Sequence, residues 1–486
     1  SGRRSFRWRN DQPASLVFVK ALDEGNPDSL VAFRDEVFQL EAPFDEMPMS
    51  MLKTQNRFSS IIWGNKNLAI AYDYWWNTRN KKTYLFNPAL PDGGIDLLFD
   101  QNYQDAYNDP GSFITRKNKL GRKVLALKGS RAYLKGDGFS DEGQFPFLDE
   151  INLKSKIKNR LYQSDYKNKL ERFIDYDIDE NQLLVRIESP NDYPNYFIRD
   201  FDQGDLKQMT QFENPFISIK DIHKEVISYK RADGLELSAT LYLPVGYDKE
   251  KKEKMPMILW AYPREFKDPS SAAQKTSNSN TFTYPNYGSP IYWVTKGYVI
   301  LDRASFPILG VGDTEPNDTF IKQLVGNAKA AIDVADALGY IDRKRVAVGG
   351  HSYGAFMVAH LLSNSDLFAA GIARSGAYNR TLTPFGFQSE QRSYWEAPEI
   401  YYNMSPFMHA DKMKTPLLLT HGEADNNSGT YPMQSIRYFN ALKGLGAEVR
   451  LVLLPKESHG YRAKENILHL LWEQDQWLEK YVKNKD

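Results

Sequence analysis

The sequence predicts an α/β domain with a doubly wound, mostly parallel sheet, placed C-terminal to an all-β region. Short strand-like runs separated by turn residues fill positions 1 to about 216, whereas strand-like and helical runs alternate from about Glu225 onward. In the second part, the apolar run Val346-Ala347-Val348 leads through two glycines into an apolar helical run. This is the pattern of a buried parallel strand and the helix that follows it. We therefore divide the chain into residues 1–216 and residues 217–486.

The first region carries strand signals and turn signals. Examples of its strand-like runs are Ser15–Val19, Ile61–Trp63, Thr83–Phe86 and Gln182–Ile187, with turns rich in Asn, Asp, Gly and Pro between such runs. This spacing is typical of an all-β sandwich, a barrel or a propeller. No exact internal repeat is visible, so the pattern alone leaves these three architectures open.

The second region alternates between two hydrophobic periods. Apolar positions from Phe320 to Leu338 keep a helical period, with Asp318 as a candidate N-cap. Further helices are predicted over residues 355–362, 435–442 and 466–481. The predicted strands are Leu237–Leu243, Met257–Trp260, Tyr298–Asp302, Val346–Val348, Ala370–Ala373, Leu417–Thr420 and Val449–Leu454. Such alternation indicates a parallel sheet with helices on its faces.

The pentapeptide Gly350-His351-Ser352-Tyr353-Gly354 links the fourth predicted strand to the next helix. It matches G-x-S-x-G, the nucleophile elbow of α/β-hydrolases, in which small residues relieve crowding at a sharp turn. A serine hydroxyl is a weak nucleophile unless a base takes its proton. We predict that Ser352 is a nucleophile; the alternative is a Gly-rich turn with an incidental serine.

An acid and a base are expected after such a nucleophile, in that order, on loops at strand ends. Asp425 follows the sixth predicted strand and His459 follows the seventh. We predict that His459 takes the Ser352 proton and that Asp425 orients His459. Glu423 and Glu457 are the competing acids. The remaining histidines are assigned structural or local roles: His223, His351, His360, His409, His421 and His469.

An oxyanion formed during acyl transfer needs two hydrogen-bond donors. The backbone N–H of Tyr353, directly after the nucleophile, is predicted to be one of them. The other is expected in the loop after an early strand, Trp260-Ala261-Tyr262-Pro263, where Tyr262 offers a backbone N–H and a hydroxyl. For the hydroxyl, simple packing is the alternative.

Composition excludes several classes of function. The chain has 62 basic and 62 acidic residues, which gives no electrostatic support for binding nucleic acid or an anionic membrane. The absence of cysteine excludes disulfides, thiolate metal sites and cysteine catalysis. No apolar stretch is long enough to span a bilayer, and no histidine pair has metal-ligand spacing. We expect a soluble protein without cofactor or metal, in a compartment that the sequence leaves open.

Three motifs follow one another in the second region: Gly349–Ala355, His421–Asp425 and Glu457–Gly460. Together they resemble the prolyl oligopeptidase family of serine peptidases. Residues 310–318, 373–387, 404–408 and 425–427 further resemble the glutamyl endopeptidase branch of that family. The resemblance is dense from about Val226 onward and weaker upstream, at residues 2–8 and 109–112.

This resemblance implies a C-terminal hydrolase domain and an N-terminal β-propeller that restricts access to short or unfolded peptides. Residues 1–216 can hold only about half of the blades usual in the family, so we expect a partial propeller. We expect that the chain, which starts at Ser1, is a processed, tagged or truncated product that lacks the rest of the propeller. The alternative is that a separate partner chain supplies that part. Many relatives carry tyrosine or histidine at the position of Trp260, which favours the backbone N–H of Tyr262 as the second oxyanion donor.

The glutamyl endopeptidase branch implies cleavage after glutamate, with aspartate as a second option. A carboxylate in a partly dry pocket needs a cation, and arginine can bind it with two hydrogen bonds. The candidates are Arg380, Arg374, Arg264 and Arg392, in segments expected to border the pocket. Arg380 is the first choice because it follows the strand next to the nucleophile's strand, and a structural role is the alternative for each.

Three functions therefore stay in consideration. The first is a serine peptidase that acts on peptide substrates through an acyl-enzyme. The second is an esterase or acyl hydrolase with the same three residues, which the resemblance disfavours. The third is a non-catalytic binding protein on this scaffold, which the presence of Ser352, Asp425 and His459 disfavours.

Overall fold

The computed structural model of the protein describes residues 2–90 and 94–484, which fall into two structural units. The first unit comprises Ser1–Ser189 and Tyr193–Phe212. The second comprises Pro190–Asp192 and Glu213–Asp486 and begins close to the predicted boundary at residue 217.

The first unit is built from antiparallel sheets whose strands pair mostly with their neighbours in sequence. Its principal sheets are β1-β2-β3-β4, β5-β6-β7-β8, β12-β13-β16-β17 with β9 beside β13, and β18-β19-β20-β21. The strands are β1 (Arg3–Trp8), β2 (Ser15–Ala21), β3 (Asp35–Glu41), β4 (Met49–Thr54), β5 (Arg57–Asn65), β6 (Leu68–Trp75), β7 (Asn80–Phe86), β8 (Asp96–Asn102), β9 (Ser112–Phe113), β10 (Thr115–Lys117), β11 (Lys123–Leu125), β12 (Leu127–Lys128), β13 (Arg131–Gly136), β14 (Phe139–Ser140), β15 (Gly143–Gln144), β16 (Phe147–Asn152), β17 (Lys158–Gln163), β18 (Leu170–Asp177), β19 (Gln182–Glu188), β20 (Asn195–Asp200) and β21 (Asp205–Gln208).

Three hydrophobic clusters join these four sheets in chain order. The first cluster contains Val37 and Trp63 and joins the first sheet to the second, the next contains Ile70 and Leu134 and joins the second to the third, and the last contains Tyr133 and Val185 and joins the third to the fourth. Four-stranded antiparallel sheets that follow one another and pack in succession are the blades of a propeller. The prediction of a partial β-propeller is confirmed, and the sandwich and barrel alternatives are excluded.

The second unit contains an eight-stranded sheet in the order β22-β23-β26-β24-β28-β29-β30-β31. The first three strands in this order pair antiparallel, and from β26 onward every pair is parallel. Every predicted strand of this region overlaps an observed one. The strands are β22 (Lys224–Lys230), β23 (Glu236–Tyr242), β24 (Met255–Ala261), β25 (Arg264–Phe266), β26 (Val299–Ala304), β27 (Pro307–Leu309), β28 (Ile341–His351), β29 (Ala370–Arg374), β30 (Leu417–Gly422) and β31 (Val449–Leu454).

Helices cover both faces of this sheet because alternate strand residues point to opposite sides. Ile258 faces a cluster that contains Trp293 and Leu470, whereas Leu259 faces a cluster that contains Phe320 and Phe356. The sheet is thus doubly wound, as predicted. The α-helices are α1 (Pro269–Ala272), α2 (Phe320–Ala337), α3 (Tyr353–Asn364), α4 (Pro398–Asn403), α5 (Met433–Gly444) and α6 (Lys464–Leu478), with short 3₁₀ turns at Ile217–Ile219, Pro290–Lys296, Pro316–Thr319, Arg380–Leu382 and Pro406–Lys412.

Two helix ends differ from the sequence prediction. Asp318 is not the N-cap of α2, which is Thr319. Asp318 instead accepts a hydrogen bond from the Glu315 N–H at 2.9 Å and closes a capping box on the preceding 3₁₀ turn. The last helix ends at Leu478, and one π-helical turn, Glu479–Lys483, continues it. Of the helices in the described part of the chain, none is long and apolar enough to cross a membrane.

Candidate active site

Ser352 occupies the sharp turn between β28 and α3. Its backbone has φ 58° and ψ −116°, a conformation that non-glycine residues rarely adopt and that marks functional turns. Its N–H donates to the Arg374 carbonyl at 2.8 Å, and its carbonyl accepts from the Ala355 N–H at 3.0 Å. These hydrogen bonds hold the turn in a strained form, which is the geometry of a nucleophile elbow.

Three glycines make this turn possible. A Cβ added at Gly350 would lie 2.4 Å from the backbone carbon of Gly354, and one added at Gly354 would lie 2.8 Å from the Ala261 carbonyl oxygen. A Cβ at Gly349 would lie 2.2 Å from the indole ring of Trp260. Backbone therefore approaches backbone at the elbow more closely than any side chain permits.

Asp425 and His459 lie together beside the elbow. The His459 Nδ1 is 2.8 Å from the Asp425 Oδ2, and the His459 ring lies 4.8 Å from the ring of His351, the residue before the nucleophile. The Asp425 N–H donates to the Gly422 carbonyl at 3.1 Å, which fixes the acid at the end of β30. His459 is reached from the end of β31, the neighbouring parallel strand. Adjacent strand ends thus bring the predicted acid and base into contact.

The surroundings of Asp425 keep its carboxyl ionised. Burial acts to raise the pKa of Asp425, but hydrogen bonds from His421 and His459 outweigh it and lower that pKa to about 2. An ionised Asp425 accepts the Nδ1–H of His459 and leaves the His459 Nε2 free to act as a base. The pair can therefore accept a proton from a serine hydroxyl.

The competing acids occupy other positions. The Glu457 carboxylate accepts backbone N–H groups of Arg462 at 2.9 Å and Ala463 at 2.8 Å, so it holds its own loop. Glu423 is exposed. Of these three acidic residues, Asp425 is the one that contacts His459.

The predicted oxyanion donors Tyr353 and Tyr262 both lie close to Ser352. Tyr353 is the first residue of α3, where backbone N–H groups lack a helical acceptor. Tyr262 follows β24, and its ring lies 5.9 Å from the Tyr353 ring. Burial raises the pKa of the Tyr262 hydroxyl, and an interaction with Ser352 opposes that rise. This interaction places the Tyr262 side chain near the nucleophile, and which group of Tyr262 donates to the oxyanion, its backbone N–H or its hydroxyl, stays a prediction.

Arg380 packs against α3, the helix that follows the nucleophile. Its side chain is buried, with the guanidinium 4.2 Å from the Phe356 ring centroid and 4.7 Å from the Phe387 ring centroid. Its Nε has no hydrogen-bond partner among the described residues. Burial lowers the pKa of Arg380 to about 10, and the nearby Tyr353 and Glu265 act against that decrease. At neutral pH Arg380 is thus a buried cation with an unused donor.

Arg374 is buried to a similar degree, and its Nε likewise has no hydrogen-bond partner among the described residues. It differs from Arg380 in its terminal nitrogens. Its guanidinium donates to the backbone carbonyls of Tyr287 and Gly288 and lies 4.4 Å from the Trp260 ring centroid. Because its terminal nitrogens fix the loop at Tyr287, Arg374 is less available to a substrate than Arg380, and its role in substrate binding stays a prediction.

Arg392 and Arg264 complete the set of predicted arginines. Arg392 binds both carboxylate oxygens of Glu390, at 2.7 and 2.8 Å, and also Asp318 at 2.9 Å. With two carboxylates as partners, Arg392 is less available to a substrate carboxylate, and its role in substrate binding also stays a prediction. Arg264 is exposed close to Tyr262 and stays a candidate at the rim.

Two functional neighbours escape sequence reasoning. The Thr430 Oγ1 lies 3.2 Å from the Asp425 Oδ2 and 3.1 Å from the His459 Nδ1. Glu265 is buried and accepts a hydrogen bond from the Tyr353 hydroxyl. A loop threonine and a strand glutamate carry no sequence signal of such contacts. Within residues 2–90 and 94–484 no group of three or more His, Cys, Asp or Glu side chains is arranged to hold a metal ion.

Comparison with known proteins agrees with this geometry. Residues 322–485 match the model of the prolyl oligopeptidase family. The chain is 42% identical over 99% of its length to a protein of Arabidopsis thaliana named "Probable glutamyl endopeptidase, chloroplastic", of which it covers 52%. It is also 42% identical to a protein of the same name from Oryza sativa subsp. japonica, of which it covers 53%. The chain thus spans about half the length of these curated relatives.

Solved structures show the same fold at low sequence identity. The dipeptidyl peptidase 4 of Porphyromonas gingivalis superimposes with a TM-score of 0.63 at 15% identity, over 98% of this chain and 74% of that one. An acylaminoacyl peptidase of Pyrococcus horikoshii superimposes with a TM-score of 0.57 at 19% identity, over 100% of this chain and 82% of that one. These similarities support the assignment of the two-unit architecture.

Proposed function

Because this chain belongs to the prolyl oligopeptidase family of serine peptidases, we propose that it hydrolyses short or unfolded peptides through an acyl-enzyme on Ser352. The observation that carries the proposal is the strained turn at Ser352 beside the His459–Asp425 pair. A binding protein has no need of a strained serine next to an oriented histidine.

The proposed reaction has two steps, acylation of Ser352 and hydrolysis of the acyl-enzyme, and both use the same groups. The Ser352 Oγ attacks the peptide carbonyl while the His459 Nε2 takes its proton, and the Tyr353 N–H and the Tyr262 hydroxyl donate to the oxyanion. His459 then gives that proton to the leaving amine. Water, deprotonated by His459, hydrolyses the ester and restores the Ser352 hydroxyl. Throughout the cycle Asp425 stabilises the imidazolium and keeps Nε2 directed at the reacting atoms.

For specificity, we propose that the residue before the cut is glutamate, with aspartate accepted less well. Two observations support this: Arg380 is a buried cation whose Nε lacks a partner among the described residues, and two relatives at 42% identity are named as probable glutamyl endopeptidases. A buried unpaired guanidinium gains a charge-assisted hydrogen bond when a carboxylate enters. Aspartate is one methylene shorter and reaches it less fully.

A fluorophosphonate probe tests the proposed nucleophile directly. We expect one covalent adduct, located on Ser352 by peptide mass spectrometry, and none on Ser352→Ala. Turnover of a glutamyl peptide anilide should fall by about 10⁶-fold in Ser352→Ala, the scale seen when a catalytic serine is removed. An unlabelled Ser352 in a folded protein, or an adduct at another serine with full turnover, would refute the assignment.

A further inference from the structure

His421 has both ring nitrogens engaged in the interior of the protein. It lies near the end of β30 and is fully buried. Its Nε2 is 3.0 Å from the Asp425 Oδ2 and 2.7 Å from the Thr430 carbonyl oxygen. Its Nδ1 is 2.7 Å from the Ser435 Oγ, on helix α5. The loop that follows β30 and the start of helix α5 therefore both bind this imidazole.

These neighbours assign the tautomer of His421. An ionised carboxylate and a backbone carbonyl both accept hydrogen bonds, so the Nε2 of His421 must carry a proton. In the neutral imidazole the Nδ1 is then an acceptor, and the Ser435 hydroxyl is the group that donates to it. Ser435 thus fixes the ring in the form that donates to Asp425.

Asp425 receives hydrogen bonds from several directions at once. Its Oδ2 is approached by the His421 Nε2, the His459 Nδ1 and the Thr430 hydroxyl, and its Oδ1 accepts from the Asn427 N–H at 3.0 Å. Of the two histidines that bind Oδ2, His421 is fully buried, whereas His459 is partly exposed. A carboxylate held by a rigid buried donor keeps its orientation when its other partner changes charge.

We propose that His421 is a positioning residue, which holds the Asp425 carboxylate in the orientation that His459 needs, with its own tautomer fixed by Ser435. This inference rests on the proposed peptidase function. It assigns to His421 a role in the proton transfer at His459 in addition to packing in the core, although His421 touches no reacting atom.

The first test compares two substitutions of His421 that differ in one hydrogen bond. His421→Leu removes the donor, and we expect kcat on a glutamyl peptide anilide to fall about 10- to 100-fold with KM unchanged, the scale found when supporting residues of an active site are replaced. His421→Gln keeps an N–H near the position of Nε2 and should recover most of that loss. Equal kcat in the two variants would overturn the proposal.

The second test asks whether His421 acts through Asp425. In an Asp425→Ala background, adding His421→Leu should lower the residual kcat by less than about two-fold, because residues that act as a unit are not additive. A purely structural role predicts the same loss with and without Asp425, and that result would overturn the inference.

A second pair of variants covers the case in which His421→Leu does not fold. Ser435→Ala removes the hydroxyl that fixes the tautomer and should lower kcat several-fold. Ser435→Thr keeps a hydroxyl and should recover most of that loss in kcat. Equal activity of these two variants would contradict the proposal. Labelling of the unsubstituted protein by the fluorophosphonate probe separates the two hypotheses: no label refutes the peptidase, whereas full label with an unaffected His421→Leu variant refutes the positioning role alone.

Discussion

The surroundings of Asp425 and those of Arg380 both contain buried charged groups, but the fold treats them differently. The Asp425 carboxylate is bonded by His421, Thr430 and His459, so that its hydrogen-bonding capacity is met by the protein itself. The Arg380 guanidinium instead faces aromatic rings, and its Nε lacks a partner in the described part of the chain. The comparison fits the two proposed roles: the fold satisfies the carboxylate that we propose orients His459, whereas it leaves a donor free on the guanidinium that we propose recognises a substrate carboxylate.

The largest effect is expected for Asp425→Asn, which changes the hydrogen-bonded surroundings of Asp425. An amide in place of the carboxylate presents a donor to His459 and favours the wrong imidazole tautomer, so kcat should fall by about 10⁴-fold. The KM for a glutamyl peptide anilide should stay the same, because Asp425 does not contact substrate in the proposed mechanism. Steady-state kinetics and a thermal melt check both points. A loss below ten-fold in a folded variant would show that the closed network does not serve His459.

The surroundings of Arg380, with their unpaired donor, are tested by Arg380→Met. A methionine keeps most of the apolar contact with Phe356 and Phe387 and removes the charge. For peptides with glutamate before the cut we expect kcat/KM to fall about 100-fold, the scale of a lost charge-assisted hydrogen bond, while matched glutamine peptides change by less than about three-fold. Arg437→Met, at an exposed position on α5 and outside the candidate set, is the control and should leave the Glu/Gln ratio within about two-fold. Equal losses on both peptides with Arg380→Met would remove Arg380 as a specificity residue.

Arg374→Met sharpens the comparison because Arg374 is a buried arginine whose bonds are internal. Two backbone carbonyls lose their donor, so the free energy of unfolding should fall by about 2 kcal/mol. The Glu/Gln ratio of kcat/KM should not change. Calorimetric melting of the variant and the peptide pair together measure this. A changed ratio at unchanged stability would place Arg374 among the recognition residues after all.

The smallest expected effect concerns Asp302 in β26, a buried carboxyl of the sheet. Burial raises the pKa of Asp302 from an ordinary value of 3.8 to about 6, and the charges of Arg303 and Lys224 only partly oppose this. Because the folded state binds this proton more tightly than the unfolded state, its contribution to stability is full below pH 4 and is lost as the pH rises through about 6.

Asp302→Asn should therefore stabilise the protein at pH 8 and not at pH 4. The raised pKa limits the gain in the free energy of unfolding at pH 8 to about 3 kcal/mol. We expect a gain of about 1 kcal/mol because burial of the amide also costs free energy. Melting temperatures of the unsubstituted and Asn proteins at the two pH values give the difference. Equal shifts at both would show that Asp302 is not titrating in this range.

Sequence patterns locate much of the catalytic unit. Ser352, Asp425 and His459 each follow a strand whose apolar run is visible in the sequence, and parallel strands end at one edge of a sheet. The partners of a side chain are not visible in this way. Arg374 and Arg380 are six positions apart and both buried. The Arg374 side chain donates to backbone carbonyls of the loop at Tyr287, which is distant in the sequence, whereas the Arg380 side chain does not.

The β unit shows a different limit of sequence reasoning. Its blades have no shared motif, so a sandwich, a barrel and a propeller predict the same string of strands and turns. The three architectures differ in which sheets pack against each other, and this is decided by clusters that combine residues of different sheets, such as the one that contains Val37 and Trp63. Contacts of that kind depend on tertiary packing and leave no periodic trace in the chain.

The contact between Gly349 and Trp260 has a consequence for how related chains can diverge. The two residues are register partners on neighbouring parallel strands, and the indole occupies the space that a Cβ at position 349 would need. Arg374 packs against the same ring. A side chain at position 349 therefore requires the loss of the tryptophan at 260, and Arg374 would then lose its aromatic support. The dependence runs in one direction: position 260 can change while 349 stays glycine, but position 349 can change only where 260 no longer carries tryptophan.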